Sequence, residues 1–384
     1  MNATEFVAPV APEIGAAATR IEQEGRLPAT LIASLKARGL FSLYTPRQFG
    51  GLELPLPDAL RIIEEVSRCD GSTGWTVALG VVNGYLMSSL PDAGAQAVFR
   101  DGPTLIAGAF GPGVRAVQVE GGYRLTGRWA FNSGAWNADW MSVGASVFDG
   151  EAPKMGPQGP EMAFVVIPPS DVTVLDTWDA VGLRGTNSHD LVVDDVFVPD
   201  QFVGRIALPQ GPVAVRESCL TRFSMFTLLG LAQSPPVCLG IARRATDEFR
   251  EIALTKERPF TGRLCDQVQT QVGLARAESL LQSARTFWFA SVEAAWDKVA
   301  CGGDLEPADR ATLRMASLTA VENSVAAVDL LYRLAGSTAI SNGTAFDRCW
   351  RDIHTAASHL QVQDSRWETA GRVLFGLEPN NPLL

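Results

Sequence analysis

TGRWAFNSGAWNADW, residues 126–140, sets Trp129, Phe131, Ser133 and Trp136 among Gly127 and Gly134, directly after a stretch that reads as a hairpin. Such a segment suits a flat aromatic cofactor. Aromatic faces supply stacking, a hydroxyl supplies one directed hydrogen bond, and glycine lets backbone approach a ring closely. The same residues also suit a plain hydrophobic strand of a β-domain, and the local pattern alone leaves both readings open.

Outward from this segment the texture is that of a β-domain. VRAVQVEGGYRLTGRW carries Gly121-Gly122 between two alternating runs, a hairpin signal. VTVLDTWDAVGLRGTNSHDLVVDDVFVPD continues with β-branched runs broken by Gly182 and Gly185. On the N-terminal side, residues 12–100 read as helices. Pro28 suits the first turn of one, Leu31 and Leu35 share a face and Gly39 stops it; another carries Leu60, Ile63 and Val66 and ends at Asp70-Gly71. Beyond Arg216, Leu274, Ala277, Leu281, Ala284, Trp288, Ser291 and Ala295 recur every three or four residues, and Pro307–Leu334 repeats the pattern before Gly336. The order is helices, sheet, helical bundle.

Composition narrows the function. The 384 residues are 46% hydrophobic and 19% charged, enough for a large core divided into two or three domains. A net charge of −10 with four lysines leaves few cations for a phosphate backbone, so no nucleic-acid partner is expected. MNATEFVAPVAPEIG carries acids and no basic, apolar leader pattern. The most apolar window, Met225–Ala242, is interrupted by Gln233, Ser234, Pro235 and Pro236, which predicts a buried helix pair rather than a membrane span. Cys69, Cys219, Cys238, Cys265, Cys301 and Cys349 form no CxxC pair and read as reduced structural thiols of a cytoplasmic protein.

Several chemistries lack their residues. No GK[ST] follows a glycine-rich loop, no GxGxxG opens a βαβ unit and no GxSxG elbow occurs. The three histidines are His189, His354 and His359. With RDIHTAASH read as helix, His354 and His359 are about 140° apart around the axis and share no metal-binding face, so no metal site is expected.

The domain order, the 126–140 segment, VGLRGTNSHDLVVDDVFVP and ERPFTG together resemble the acyl-CoA dehydrogenase superfamily over nearly the whole chain. GLFSLYTPRQFGG, RCDGSTGWTVALG, VQVEGGYRLTGRWAFNSG and RDIHTAASH are similar to its branch of two-component flavin-dependent monooxygenases. The resemblance implies an α+β fold: an N-terminal helical domain (1–103), a central β-barrel or sandwich (104–212) and a C-terminal four-helix bundle (213–384). Departures from the dehydrogenases agree with that branch. Ile353–Trp367 and Leu220–Thr246, where those enzymes place a glutamate base, contain none, although Glu217 and Glu248 lie near; AGAFGPGVRAVQ replaces the segments that meet flavin and thioester.

The resemblance further implies reduced flavin (FADH2 or FMNH2) from a separate NAD(P)H:flavin reductase, O2 as co-substrate, a flavin C4a-hydroperoxide and a small aromatic acceptor such as a phenol, indole or heteroaromatic. N-oxygenation of an amine and acyl-CoA dehydrogenation are the alternatives. Ser133 corresponds to the hydroxyl at flavin N5, with Trp129, Phe131 and Asn132 as the adjacent wall. Thr186 and Ser188 correspond to the loop beside ring and phosphate, and Arg258 to an arginine meeting a flavin phosphate across a subunit interface of a homotetramer. His359 corresponds to the catalytic histidine, as proton acceptor or as donor to the bound oxygen, with His354 the alternative. Trp75, Tyr85, Phe110 and Trp136 are candidates for the substrate wall.

Overall fold

The structure is a computed structural model of the whole chain, described here for residues 1–87, 89–110, 114–156, 159–207, 211–212, 218–259 and 262–380. Six helices open it: α1 (Ala3–Val7), α2 (Ala11–Glu24), α3 (Ala29–Ala37), α4 (Leu56–Cys69), α5 (Gly71–Met87) and α6 (Asp92–Val98). Pro28 caps α3 from just outside rather than within its first turn, and Gly39 follows it at φ 77°. α4 is amphipathic, burying Leu56, Ala59, Leu60, Ile62, Ile63 and Val66. α5 starts at once after the Asp70 stop. It carries no charge in GSTGWTVALGVVNGYLM and is buried along its whole length, so only a helix enclosed on all sides fits it.

The middle of the chain is a sheet: β1 (Ile106–Ala109), β2 (Arg115–Val119), β3 (Gly122–Asn132), β4 (Trp140–Asp149), β5 (Ala152–Pro153), β6 (Met155–Gly156), β7 (Gly159–Pro160), β8 (Met162–Ile167), β9 (Thr173–Leu175), β10 (His189–Pro199), β11 (Val203–Ala207) and β12 (Gly211–Pro212). Strand order is β12-β11-β8-β4-β2-β3-β10-β9, with β1 and β5 also on β4. The hairpin falls where the sequence places it, Val119 opposite Gly122 with Gly121 at φ 75°. The sheet curls far enough for β8 and β10, well apart in strand order, to touch. It encloses its own core of Leu125, Trp129, Val143, Val165, Leu191 and Val193.

The chain then returns to helix: α7 (Met225–Ala232), α8 (Ser234–Thr255), the short pair β13 (Glu257–Arg258) and β14 (Gly262–Arg263), α9 (Val268–Ala300), α10 (Pro307–Ala335), α11 (Ala345–Ala357) and α12 (Ser365–Leu374). The apolar window is a helix pair broken at Gln233; by length and composition Met225–Thr255 could cross a membrane, but its most apolar part is 89% buried in the protein. α8 packs on α4, α10 and α11, so both helical regions share one continuous core beside the separate sheet core.

Candidate active site

The end of β3, the turn before β10, α5 and the segment after α11 converge at one place. Asn132 pairs with His189 across β3 and β10, which brings Ser133 beside Ser188. Trp75 Nε1 donates to Ser133 Oγ at 3.1 Å, Ser133 Oγ lies 2.7 Å from Ser188 Oγ, and Ser188 Oγ lies 2.7 Å from Thr186 Oγ1. Thr186 Oγ1 donates to the Leu183 carbonyl at 2.8 Å. A hydroxyl has one proton and two lone pairs, so this last bond fixes the direction of the rest. Ser188 must donate to Thr186, and Ser133 to Ser188. All three hydroxyls are buried. Ser133 therefore keeps one lone pair and no proton for anything placed against it.

The backbone here is unusual. Phe131, Leu183 and Asn187 have φ of 63°, 49° and 40°, the left-handed region that bulky residues rarely enter. Such strain persists only where the surroundings impose it, and it collects at functional sites. Phe131 is turned outward, 71% exposed, with its ring edge toward Trp178 at 6.3 Å. Trp136 lies against the His189 ring at 3.9 Å, and its backbone N–H donates to Asn187 Oδ1. His189 Nδ1 accepts from the backbone N–H groups of Thr177 and Trp178, which puts the proton on Nε2; burial lowers its pKa and keeps the ring neutral. His189 Nε2 and Asn132 Oδ1 are buried without a partner among the described residues.

His359 stands on the other side of Trp75, ring centroids 5.7 Å apart and edge-on. It is not helical. α11 ends at Ala357, and His359 caps the 3-10 turn Leu360–Val362, its Nδ1 accepting the Gln361 N–H at a long 3.4 Å. The angular separation expected from one continuous helix therefore does not apply. Gln361 is in turn held by the buried Arg314, which donates to its carbonyl and side-chain oxygens at 3.0 and 3.2 Å. Burial, then the Arg366 charge, pushes His359 down to about 4, so it is neutral at neutral pH, with its proton on Nε2. The unfolded histidine titrates near 6.5 and binds more protons between the two values. This contribution to stability is complete above about 6.5 and lost as the pH falls toward 4. Between pH 4.5 and 7 the melting temperature of His359→Gln is expected to change less than that of the wild type; equal slopes in a thermal titration contradict the burial described.

Two family models match: "Acyl-CoA dehydrogenase, N-terminal domain" over residues 3–98 and "Acyl-CoA dehydrogenase, C-terminal domain" over residues 232–364. The indole-3-acetate monooxygenase of Pseudomonas putida is 33% identical over 362 residues, covering 93% of this chain and 90% of that protein. The chain belongs to the acyl-CoA dehydrogenase superfamily, in its branch of flavin-dependent monooxygenases. A Rhizobium relative, "FADH(2)-dependent resorcinol hydroxylase, oxygenase component", is 29% identical over 97% of this chain and 94% of its own. The structure of XiaF from Streptomyces sp. in complex with FADH2 and glycerol superposes with a TM-score of 0.91 at 27% identity, covering 100% of this chain and 97% of that one.

The monooxygenase's own residues fit a flavin. Exposed Phe131, Trp136 and Val181 give an apolar rim, and buried Asn132 Oδ1 and His189 Nε2 are an acceptor and a donor in want of partners. Ser133 accepts but cannot donate. Reduced flavin carries a proton on N5 and oxidised flavin does not, so this hydroxyl suits the reduced form.

Other expected site residues fall elsewhere. Trp129, expected in the flavin wall, is buried in the sheet core with its Nε1 on the Gly144 carbonyl at 2.8 Å, leaving no free face. Of the substrate-wall candidates, Trp75 alone touches both Ser133 and His359. Tyr85 is ten residues further along α5, about 15 Å away at helical rise. Phe110 packs where a Gly144 side chain would stand. Trp136 stacks on His189 instead. His354 lies on α11 with Nε2 2.9 Å from Asp329 and its ring against Trp350, outside this cluster. Arg258 donates to Gln267 and to the Leu334 carbonyl of its own chain. Glu248 is paired with Arg244 at 2.7 Å, which removes it as a base; Glu217, like residues 111–113, 260 and 261 of the quoted motifs, lies outside the described residues.

Sequence reasoning missed Asn187, His189 and Trp178 as site residues, although TNSH was in view. It also missed Asp352, whose Oδ1 accepts the Leu183 N–H at 2.6 Å from α11. Burial, then the Asp70 charge, raises Asp352 to about 7.

Proposed function

We propose that this chain is the oxygenase component of a two-component system, hydroxylating a small aromatic ring with O2 and reduced flavin, FADH2 or FMNH2, supplied by a separate NAD(P)H:flavin reductase. The observation that carries the reading is the fixed direction of the Ser133 hydroxyl. It accepts from Trp75, donates to Ser188 and leaves a lone pair for a flavin N5–H.

Reduced flavin, when bound, supplies the two electrons with which O2 is split into one oxygen atom for the substrate and one water. The protein's residues bind, orient and exclude water. Ser133 would accept the hydrogen bond of a flavin N5–H, with Phe131, Asn132, Thr186 and Ser188 as the neighbouring residues that would hold the ring, and the neutral His359 would offer its Nε2–H as a hydrogen-bond donor. Of the two duties the family resemblance implies for His359, the tautomer favours donation; a ring that protonates only near pH 4 is a weak base. Trp75 forms the aromatic wall between the two groups. No glutamate stands in Ile353–Trp367 or Leu220–Thr246 to take an α-proton, which favours oxygenation over acyl-CoA dehydrogenation.

We assign the protein to the cytoplasm as a homotetramer, its exposed Val268, Val272 and Phe287 on α9 and Leu374 and Phe375 at the end of α12 covered by other copies and Arg258 near a partner's flavin. Light scattering that returned a monomer would contradict the assembly.

The activity is tested by giving the purified protein pre-reduced flavin, O2 and a panel of phenols, indoles and amines, with the reductase behind a dialysis membrane. Hydroxylated aromatic product exceeding H2O2 for at least one acceptor is expected. Product from amines alone would favour N-oxygenation, and H2O2 alone with every acceptor would contradict the reading.

A further inference from the structure

α11 holds the 178–188 turn at three consecutive residues. Arg351 donates to the Val181 carbonyl at 2.9 Å, Asp352 accepts the Leu183 N–H, and Gly182 lies between them against the Arg351 carbonyl. Arg351 belongs to a largely buried charge cluster joining Asp70 before α5, Glu22 on α2, and Asp347 and Arg348 on α11, and Asp352 feels the charges of Asp70, Arg348 and Arg351 in it. Nothing in the mechanism above uses Asp352, yet its carboxylate is buried and aimed at a backbone group.

The Leu183 carbonyl is the terminal acceptor of the hydroxyl chain that ends at Ser133. It receives Thr186 Oγ1 at 2.8 Å and Trp178 Nε1 at 3.1 Å. Leu183 is left-handed, a conformation a leucine holds only under constraint. Its N–H lies on the Gly182–Leu183 peptide plane and its carbonyl on the next one, so holding the N–H fixes the plane from which the left-handed Leu183 turns its carbonyl toward Thr186.

We propose that Asp352 is a positioning residue: by holding the Leu183 N–H it keeps the Leu183 carbonyl under Thr186 and so sets the Ser133 hydroxyl, through Ser188, as an acceptor toward a flavin N5–H. Without that anchor, Leu183 relaxes from its left-handed conformation and its carbonyl swings away from Thr186. The Thr186 proton then turns to Ser188, the chain runs backwards, and Ser133 is left with a proton to donate to whatever is placed against it. A donor there suits the bare N5 of oxidised flavin. Asp352, which touches neither flavin nor substrate, thus governs which redox state of the flavin the site prefers. The proposal rests on the flavin reading above.

The test measures dissociation constants for oxidised and for anaerobically reduced flavin, with no turnover involved. The wild type is expected to bind the reduced form at least about tenfold more tightly, the scale of one directed hydrogen bond. Asp352→Ala is expected to lower that ratio about tenfold, and Asp352→Asn, whose amide oxygen still accepts the Leu183 N–H, to restore it. Asp352→Ser, too short to reach Leu183, replaces the alanine variant should that fail to fold. A folded Ala or Ser variant with the wild-type ratio overturns the proposal and leaves the flavin reading intact; a wild type without preference overturns both. Hydrogen exchange of the Leu183 amide without flavin separates these further: faster exchange in the Ala variant is expected, and wild-type protection contradicts the anchor.

Discussion

His359→Ala is expected to cut hydroxylated product per flavin oxidised on the order of 10²-fold, the lower range for a positioned proton-handling group, while O2 consumption continues and its electrons appear as H2O2. The side chain lies edge-on to Trp75, and the bond accepted at Nδ1 leaves the ring proton on Nε2. Removing it leaves Ser133, Phe131 and Ser188, the proposed flavin contacts, in place, so flavin affinity is expected to change little. His354→Ala is the control. That ring is occupied by Asp329 and Trp350, and its loss is expected to leave the product ratio as it was. The measurement is the partition between product and H2O2 at saturating reduced flavin; an unchanged partition in His359→Ala removes the residue from the mechanism.

Gly182→Ala is expected to detach the 178–188 turn from α11. A Cβ at that position would stand 2.1 Å from the Arg351 carbonyl oxygen, 2.4 Å from its carbon and 2.6 Å from Thr355 Oγ1. Two of those atoms are backbone of a helix packed against α8 and cannot step aside. Overpacking of this severity costs about 3 kcal/mol, and the displaced turn carries Leu183, Thr186 and Ser188 with it. A fall in melting temperature together with a loss of flavin binding is therefore expected. Gly15→Ala, on α2 with nothing within 4 Å of the new Cβ, is expected to stabilise by about 0.5–1 kcal/mol. Calorimetry and flavin titration of both variants check the pair; a Gly182→Ala protein as stable as the wild type would mean that the turn does not lie against α11 as described.

Long elements were legible because burial imposes a period on them. The recurrence from Leu274 to Ala295 is α9, the run before Gly336 is α10, and Gly121-Gly122 marks the β2–β3 hairpin. Ser133 stood out within the 126–140 segment, but Thr186 and Ser188 were singled out only through the family resemblance. Their one-way hydroxyl chain was not visible, because it depends on a register that brings residues 55 apart in sequence to within 2.7 Å. Left-handed Phe131 and Leu183 gave no signal, since neither residue type favours that region and tertiary contacts impose it. The two tryptophans show the limit of reasoning from residue type. Trp129 sits in the motif and turns into the sheet core, whereas Trp75, on an uncharged and wholly buried helix, turns its N–H to Ser133. RDIHTAASH reads as helix to its end, but the chain leaves α11 at Ala357 and that exit carries His359 to Trp75. Asp352 offered no pattern at all; its partner is a backbone N–H 169 residues away.

The most direct test of aromatic oxygenation with reduced flavin is the fate of isotopic oxygen. The purified chain, given pre-reduced flavin, ¹⁸O2 and the best acceptor of the phenol and indole panel, is expected to release a hydroxylated ring carrying one ¹⁸O atom, with none incorporated when the label is in water. Label absent from the product, or a flavin reduced anaerobically by an acyl-CoA with no oxygen required, would contradict it.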